Sequence, residues 1–452
     1  MSSRAQVEEA LNKIATIDHS GYELRSVLAV REEALADADA YDKAGRDLPL
    51  KGQPILIKDN IEAVGLPASA GSLALADTPV QSDSPLVTCL KDAGAIIVGA
   101  ANLSEWANIR STKSTSGWSA VGGLTANPWK HAHSAGGSSS GSGAAVAADL
   151  VRMAVGSETD GSITCPSSLN GCVGIKPTVG SIPREQMIPI STSQDTPGPM
   201  AQTVADAALL LEVLTGQNGF VKAVGQHDGL RIGVVNNWLT SNDATNALFE
   251  NAVKALEKAG IAISYVEIPH YDDQVGNDEY DVLKHELFSD LAAYLANRPG
   301  ARVKSLADVV AFNTSHRDQE MKHFNQEIFN EALQLGGRNN KYQIKRDRNL
   351  AWANMTLAKA LGEVDVLIGC TYSPAWVSQL GKGDDFEGSS WITTAPSIAG
   401  TPIGTVPMGL VEGLPVGLGV VSGRNDEISL VRAMSAIESA LGLGALKPTF
   451  IK

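Results

Sequence analysis

The chain has 452 residues, of which 43% are hydrophobic and 19% charged, and its formal net charge at pH 7 is −14. This balance is typical of a globular protein and excludes a disordered chain. The negative charge argues against nucleic acid and anionic membranes as partners, and the length allows two or three domains or one large α/β unit.

Cysteine usage and the lack of long apolar runs favour a reducing compartment. The four cysteines form no CxxC pair, so reduced thiols are the simplest interpretation. The sequence contains no run of about 18 apolar residues, so no membrane span is predicted. The first residues also lack an apolar stretch of signal-peptide length. We therefore expect a cytoplasmic protein, unless a signal has been removed.

The first hundred residues predict helices around a short buried strand. Apolar spacing over about 4–43 predicts two amphipathic helices, the second with Val27 and Val30 on its buried face. The segment PILI is predicted to be a buried strand that leads into Lys58. Residues 84–108 predict a helix, a turn, a strand and a further helix, which is the rhythm of an α/β fold.

The remaining chain predicts a long loop and then renewed alternation. Residues 111–142 predict an irregular loop, followed by a helix from Gly143 and the strand MAVGS. From residue 203 helices and strands alternate again, as in TVADAALLLEVLTG, LRIGVV, ATNALFENAVKALEKAG, IAISYVEI and VDVLIG. Residues 276–362 predict a helical peripheral region, and two strands and a helix near 426–440 complete the chain.

These elements predict a single large α/β domain over residues 1–452, with N-terminal helices in 1–45. The expected sheet is mixed and mostly parallel, and helices cover both of its faces. The sequence has no internal repeat and no convincing linker that would predict a second domain.

Two serine- and glycine-rich clusters between Ala135 and Pro177 are the most informative local feature. Ser138 lies in the first cluster, and Ser162 lies in the second, 24 positions later. Glycine lets a backbone approach a ligand closely, and free backbone amides can stabilise a developing negative charge. A serine here is a candidate nucleophile, but the run contains no histidine that would act as its base.

Lys58 is the outstanding candidate for that base. A lysine at the mouth of a buried strand is partly desolvated, which lowers the pKa of its ammonium group and lets the neutral amine accept a proton. Taken alone, the segment also fits a solvated or ion-paired lysine. Each serine, taken alone, also fits a polar turn or a helix N-cap.

A different nucleophile is predicted if the first cluster is a nucleophile elbow. The run Gly137-Ser138-Ser139-Ser140-Gly141 formally fits G-x-S-x-G, with Ser139 as the attacking residue. The elbow of α/β-hydrolases follows a strand, whereas residues 127–133 make a poor one. In a segment this rich in glycine and serine the match can also arise by chance.

Taken together, the lysine after PILI, the loop GGSSSGSG and the turn DGSI resemble the amidase-signature family of serine hydrolases. Further matching segments include DAGAIIVGAANLSEW, GCVGIKPTVG and DTPGPMAQTVADAALLL, and the match covers most of the chain from about residue 50. Within the family, the segments NLSEWAN, SETDGSI, SQDTPGPMA, SLADVVAFN and GDDF are most similar to bacterial peptide amidases.

The resemblance implies the amidase-signature fold and a Ser–cis-Ser–Lys triad that uses no cofactor and no metal. Ser162 would be the nucleophile, Ser138 the bridging serine held by a cis peptide bond, and Lys58 the terminal base. The oxyanion hole would consist of backbone N–H groups around Thr159, Asp160, Gly161 and Ser162.

Other residues near these motifs carry weaker signals. Ser139, Gln194 and Asp195 are possible supporting residues of the site. Asp384 and Asp385 would either face the pocket or turn a loop. The scattered histidines have no matched carboxylate partner, so no metal site is predicted.

The implied activity is hydrolysis of a carboxamide with release of ammonia through a serine acyl-enzyme. C-terminal peptide amides are the expected substrates, and fatty acyl, aryl or biosynthetic amides are the alternative. Many members have glycine where this chain has Asp160 and arginine where it has Thr164, and the missing arginine argues against a carboxylate substrate. It also weakens the interpretation as an amidotransferase subunit.

A non-catalytic subunit on the same fold is a further alternative, against which the intact Lys58, Ser138 and Ser162 argue. A small-molecule or peptide amide is the expected partner, and the chain itself is expected to be a monomer or homodimer.

Overall fold

An eleven-stranded β-sheet runs through the protein, whose computed structural model describes residues 1–269 and 272–450. The strands are β1 (Val27–Val30), β2 (Pro54–Lys58), β3 (Ile96–Ala101), β4 (Trp118–Ser119), β5 (Gly123–Leu124), β6 (Met153–Glu158), β7 (Val173–Lys176), β8 (Thr196–Ala201), β9 (Arg231–Val235), β10 (Ala262–Val266), β11 (Val366–Cys370), β12 (Ile403–Val411) and β13 (Leu414–Ser422). All but β4 and β5, which form a separate hairpin, belong to the large sheet.

The helices are α1 (Ser3–Lys13), α2 (Ala34–Ala44), α3 (Leu73–Ala76), α4 (Pro85–Asp92), α5 (Ser140–Ala147), α6 (Thr164–Asn170), α7 (Val204–Thr215), α8 (Phe220–Ala223), α9 (Asp243–Lys258), α10 (Asp273–Asn297), α11 (Leu306–Ser315), α12 (Arg317–Glu320), α13 (Glu327–Leu335), α14 (Asn340–Ala360), α15 (Thr394–Ala399) and α16 (Glu427–Leu441). None of the helices in the described ranges is long and apolar enough to cross a membrane.

The strand order of the large sheet is β1-β3-β2-β6-β8-β7-β12-β13-β11-β9-β10. Parallel pairing joins β3, β2 and β6 in one block and β11, β9 and β10 in another. The strands between these blocks pair antiparallel, partly because β12 and β13 form a hairpin. The predicted mixed α/β sheet is confirmed, with a larger antiparallel part than the alternation of helices and strands predicts.

Helices cover both faces of this sheet, as predicted. Along β2, Ile55 and Ile57 pack into one apolar cluster with α4, α7, α9 and α16, whereas Leu56 packs into another with α1, α2 and α5. Because both faces of the strand are buried, its sequence is a continuous apolar run rather than an alternating one.

The sheet brings two chain segments of interest together at the carboxyl ends of neighbouring strands. Strands β2 and β6 are parallel neighbours, so Lys58 at the end of β2 lies close to Glu158 at the end of β6. The turn after β6 then leads through Ser162 into α6. Ligand sites of open α/β sheets lie outside the carboxyl ends of strands, so a ligand site is expected at these strand ends.

The prediction of the second N-terminal helix was partly wrong. Residues Val27–Val30 form strand β1, which pairs antiparallel with β3 at the edge of the sheet, and only α1 and α2 in the segment 1–45 are α-helices. Short apolar runs do not distinguish helix from strand by periodicity alone. Here the open edge of β3 provided the partner that decided between them.

Two other local predictions also differ from the structure. The helix expected after β3 is only a 3₁₀ turn at Glu105–Asn108, in which Trp106 and Ala107 have left-handed φ angles of 49° and 51°. Burial of the Trp106 ring against Phe329 accompanies this backbone. The predicted loop 111–142 contains the β4–β5 hairpin and the start of α5.

Strand β8 lies inside the sheet although it contains Pro197 and Pro199, and the sequence pattern did not predict it. It pairs along its whole length with β6, but β7 pairs only with Met200 and Ala201. The two prolines therefore lie where β8 has no β7 partner, so their missing N–H groups break no ladder bond on that side.

The helices α10 to α14 occupy the part of the chain for which a helical peripheral region is predicted. Apolar side chains of α10, α11 and α13 form a cluster of their own together with Trp106. This helical cap, formed by α10 to α14, contributes residues of α10 to the cavity that Ser162 also lines.

Candidate active site

Lys58 ends β2 with a completely buried side chain. Its Nζ lies 2.8 Å from Ser138 Oγ, 3.0 Å from Ser157 Oγ and 3.1 Å from the Ser157 carbonyl oxygen. Burial lowers the pKa of Lys58 from its ordinary 10.5 to about 7, although the carboxylates of Asp195 and Glu158 act in the opposite direction. Above that pH the amine is mostly neutral and can accept a proton from a hydroxyl.

Ser138 follows a cis peptide bond from Gly137. A side chain at position 137 would overlap the hydroxyl groups of Ser104 and Ser116, so only glycine fits there. The Ser138 carbonyl accepts the Ser104 amide at 3.0 Å. The chain is thus held on both sides of the bond, with the Ser138 hydroxyl directed to Lys58.

Ser162 lies on the turn between β6 and α6 and shares one cavity wall with Ser138. The cavity has a volume of about 780 Å³, and Ser162 keeps 9% of its surface exposed. Its carbonyl accepts the Ser139 amide at 3.0 Å, which ties the two serine clusters together. The structure therefore brings Lys58, Ser138 and Ser162 into one region.

The backbone amides of this turn are available to a ligand. Those of Asp160, Gly161 and Ser162 donate no hydrogen bond to protein atoms in the part of the chain that the structure describes. Gly161 has a left-handed φ of 79°, and a Cβ there would overlap the Tyr372 hydroxyl. Amides left free beside a hydroxyl nucleophile can bind the oxygen of a tetrahedral intermediate.

Glu158 fixes the path of the chain from β6 into α6. Its Oε2 accepts the amides of Ile163 at 2.7 Å and Thr164 at 2.8 Å. Burial raises the pKa of this carboxyl, and the charge of Lys176 opposes that rise. The sequence analysis missed Glu158 and Lys176, because a strand end followed by a turn carries no signal for such a contact.

Asp195 and Gln194 contact Thr159, at the start of the turn that carries Ser162, from the loop before β8. Asp195 Oδ1 accepts the Thr159 hydroxyl at 2.6 Å, and Oδ2 accepts two backbone amides of its own loop at 2.8 Å each. Burial raises the pKa of Asp195 to about 6. Gln194 Nε2 donates to Glu279 Oε1 at 2.8 Å and lies 3.5 Å from the Thr159 carbonyl.

Ser139 lies in a different environment from the two other serines. Its Oγ donates to the Ser157 carbonyl at 3.0 Å and accepts the Ser157 amide at 3.1 Å, and its side chain is buried. The preceding segment is not a strand, since residues 135–139 are irregular. The geometry of a nucleophile elbow is therefore not found, and Ser139 links the first cluster to β6.

Asp384 and Asp385 do not line the cavity. Asp384 accepts the amide and hydroxyl of Ser116 at 2.9 Å and 2.7 Å, and the Asn108 amide group at 3.1 Å, whereas Asp385 is exposed. They shape a loop. Within the described residues no group of three or more histidine, cysteine or acidic side chains could hold a metal ion.

Comparison with known proteins places this site in a family. The family model described as Amidase matches residues 5–431. The native peptide amidase from Stenotrophomonas maltophilia is 38% identical with a TM-score of 0.94, covering 100% of this chain and 96% of that one. A probable amidase from Arabidopsis thaliana is 32% identical, over 97% of this chain and 87% of its own length.

A glutamyl-tRNA(Gln) amidotransferase subunit from Methanosarcina barkeri is also 32% identical and covers 96% of this chain and 96% of its own length. The family match spans nearly the whole chain and includes both serine clusters and Lys58. The chain therefore belongs to the amidase-signature family, and it is an amide hydrolase.

Proposed function

We propose that this enzyme hydrolyses the C-terminal carboxamide of peptides and releases ammonia through an acyl-enzyme on Ser162. The observation that carries the proposal is the buried contact of 2.8 Å between Lys58 Nζ and Ser138 Oγ, behind the wall of the cavity that also contains Ser162. A lysine with a pKa of about 7 supplies the base that the serine-rich segment lacks.

The proposed cycle uses three side chains and the amides of one turn. Lys58 takes a proton from Ser138, which in turn takes the proton of Ser162 as the Ser162 Oγ attacks the amide carbonyl. The amides of the turn bind the resulting oxyanion. The proton then returns to the departing nitrogen, which leaves as ammonia, and water hydrolyses the acyl-enzyme through the same relay to give the carboxylic acid.

The cavity and the relatives support peptide amides as the substrate class. A volume of about 780 Å³ accommodates a peptide segment rather than only a small amide. Side chains from the helical cap and from the loop before α15 contribute to its walls. Similarity to the Stenotrophomonas peptide amidase at 38% identity over the whole chain points in the same direction.

Ammonia release from four carboxamides tests this proposal. The panel contains a blocked dipeptide amide, a free amino-acid amide, a long-chain acyl amide and an aryl amide. We expect selective turnover of the dipeptide amide. Activity only on the other amides would contradict the substrate class, and silence across the panel would favour a partner-dependent subunit such as the Methanosarcina relative.

The pH dependence of kcat/KM is expected to follow the titration of Lys58. Below a pH of about 7 the ammonium form predominates and cannot accept a proton, so the rate should fall about tenfold per pH unit. Above that pH the rate should reach a plateau. Steady-state ammonia release between pH 5 and 9 measures this, and a flat profile would contradict the role of Lys58.

Ser157→Ala is expected to lower kcat/KM by roughly ten- to a hundredfold and to shift this pH profile. The Ser157 hydroxyl lies 3.0 Å from both Lys58 Nζ and Asn60 Nδ2, so its loss frees the amine to move away from Ser138. Ser142→Ala is the matched control, because its buried hydroxyl donates only to the Val155 carbonyl. Equal effects of both variants on kcat/KM and the profile would refute a positioning role.

A further inference from the structure

The cavity beside Ser162 carries acidic groups on its walls. Asp160, Asp273 and Glu279 line it, and among the described residues no lysine, arginine or histidine does so. Asp160 belongs to the nucleophile turn itself, two positions before Ser162, whereas Glu279 comes from α10 in the helical cap. A bound substrate therefore meets carboxyl groups from two separate parts of the fold.

Asp160 and Glu279, which we call the acid pair, both line the cavity, and the charge of Asp160 acts on Glu279. One of the two carboxyl groups keeps its proton, because two adjacent buried carboxylates cannot both ionise at low cost. Burial and the neighbouring charge of Asp160 raise the pKa of Glu279 well above its usual range, and burial also raises the pKa of Asp160. The acid pair then carries one negative charge near neutral pH.

Lys176 and Arg346 act on the acid pair through their charges but do not line the cavity. Lys176 is fully buried and donates to the Thr401 carbonyl at 2.6 Å, and Arg346 donates to the Ile398 carbonyl at 2.9 Å. Lys58 is also buried and lies behind Ser138. None of the three lines the cavity, so none presents a positive charge to a ligand there.

We propose that the acid pair makes the enzyme select amides with neutral or cationic groups near the reacting carbonyl, and that it helps to expel the carboxylate product. This inference rests on the proposed function. A carboxylate in the cavity meets a like charge in a partly desolvated wall, which opposes its binding. The reacting carboxamide is neutral and becomes a carboxylate only after hydrolysis, so the same repulsion acts on the product and not on the substrate.

Three N-acetyl amino-acid amides of similar length test the selectivity, with lysine, norleucine or glutamate side chains. At pH 8 we expect kcat/KM for the glutamate compound to be at least about tenfold below that for norleucine, and the lysine compound to match or exceed norleucine. N-acetylnorleucine, the product acid, should inhibit only at concentrations at least about tenfold above the KM of its amide. Equal rates for glutamate and norleucine, or tight product inhibition, would overturn the inference.

Variants of the acid pair should change the glutamate-to-norleucine ratio of kcat/KM in a pattern that a merely structural role of these residues would not produce. In Glu279→Gln the charge stays on Asp160, so the discrimination against glutamate should persist. In the double variant Asp160→Asn/Glu279→Gln the charge of the acid pair is gone and only the exposed Asp273 remains on the cavity wall, so the glutamate-to-norleucine ratio should rise toward one. Asp385→Asn is the control, since it removes an exposed charge outside the cavity. An unchanged ratio in a folded double variant would overturn the inference.

The wild-type comparison also separates this inference from the proposed function. Turnover of the norleucine amide without discrimination against glutamate would contradict the acid pair alone. No turnover of any of the three amides would contradict the proposed function and this inference together. Because these arms use the unmodified enzyme, they do not depend on the folding of a variant.

Discussion

Ser162→Ala is expected to lower ammonia release from a peptide amide by about 10³-fold or more, with little change in stability. Ser162 is the serine on the turn whose amides are free to bind an oxyanion, and its side chain is reachable from the cavity. Steady-state ammonia release measures the effect, and a thermal melt checks that the variant is folded.

Ser139→Ala is the matched control for this variant, because the elbow alternative makes Ser139 the nucleophile. Its hydroxyl binds the backbone of Ser157, so we expect a loss of stability and a much smaller loss of activity than in Ser162→Ala. The reverse result, an active Ser162→Ala and an inactive Ser139→Ala, would move the nucleophile to the first cluster.

Lys58→Met is expected to abolish activity and at the same time to stabilise the fold. Removal of the base leaves Ser138 without an acceptor for its proton, so we expect kcat/KM to fall by at least about 10³-fold. The buried lysine destabilises the folded state at neutral pH, because its pKa is lowered from 10.5 to about 7. A methionine side chain of similar length removes this desolvation cost. The hydroxyl groups of Ser138 and Ser157 then each lose one hydrogen-bond partner.

The sign of the pH dependence follows from the direction of that pKa change. Between pH 7 and 10.5 the unfolded chain binds more protons at this lysine than the folded chain, so wild-type stability from this group rises with pH. Below pH 7 the folded protein bears the full free-energy cost of burying the charged lysine. We therefore expect Lys58→Met to gain roughly 1–3 kcal/mol in unfolding free energy at pH 6 and less at pH 9.

Urea unfolding at both pH values measures this difference. Lys51→Met, an exposed lysine in the turn before β2, is the control and should change neither activity nor stability appreciably. A Lys58→Met variant that is less stable than wild type at pH 6, or that keeps its activity, would contradict a buried neutral base.

The sequence predicted the parts of this molecule that depend on local pattern. The buried strand before Lys58 follows from a continuous apolar run, and the turn at Ser162 follows from the segment DGSI, whose Gly161 has a left-handed φ in the structure. The resemblance to amidase-signature enzymes added the expectation that Ser138 and Ser162 lie near that lysine. The structure places all three side chains at one edge of the sheet.

The parts that could not be predicted depend on contacts between distant segments. Val27–Val30 became a strand because β3 offered an open edge, and the proline-containing β8 was accepted because β7 is short beside it. Glu279 reaches Gln194 and the cavity wall from a helix of the cap, which no pattern within its own segment indicates. Ser157 became a partner of Lys58 only because β2 and β6 are neighbours.

Mapping the acylated serine tests the central claim most directly. The enzyme would be quenched with acid during turnover of the p-nitrophenyl ester of N-acetylphenylalanine and digested with trypsin. Cleavage after Arg152 separates the two clusters, since residues 131–152 contain Ser138 and Ser139 and residues 153–184 contain Ser162. We expect the acyl mass on residues 153–184, at Ser162, and its disappearance when a peptide amide competes. An acyl group on residues 131–152 would contradict the account.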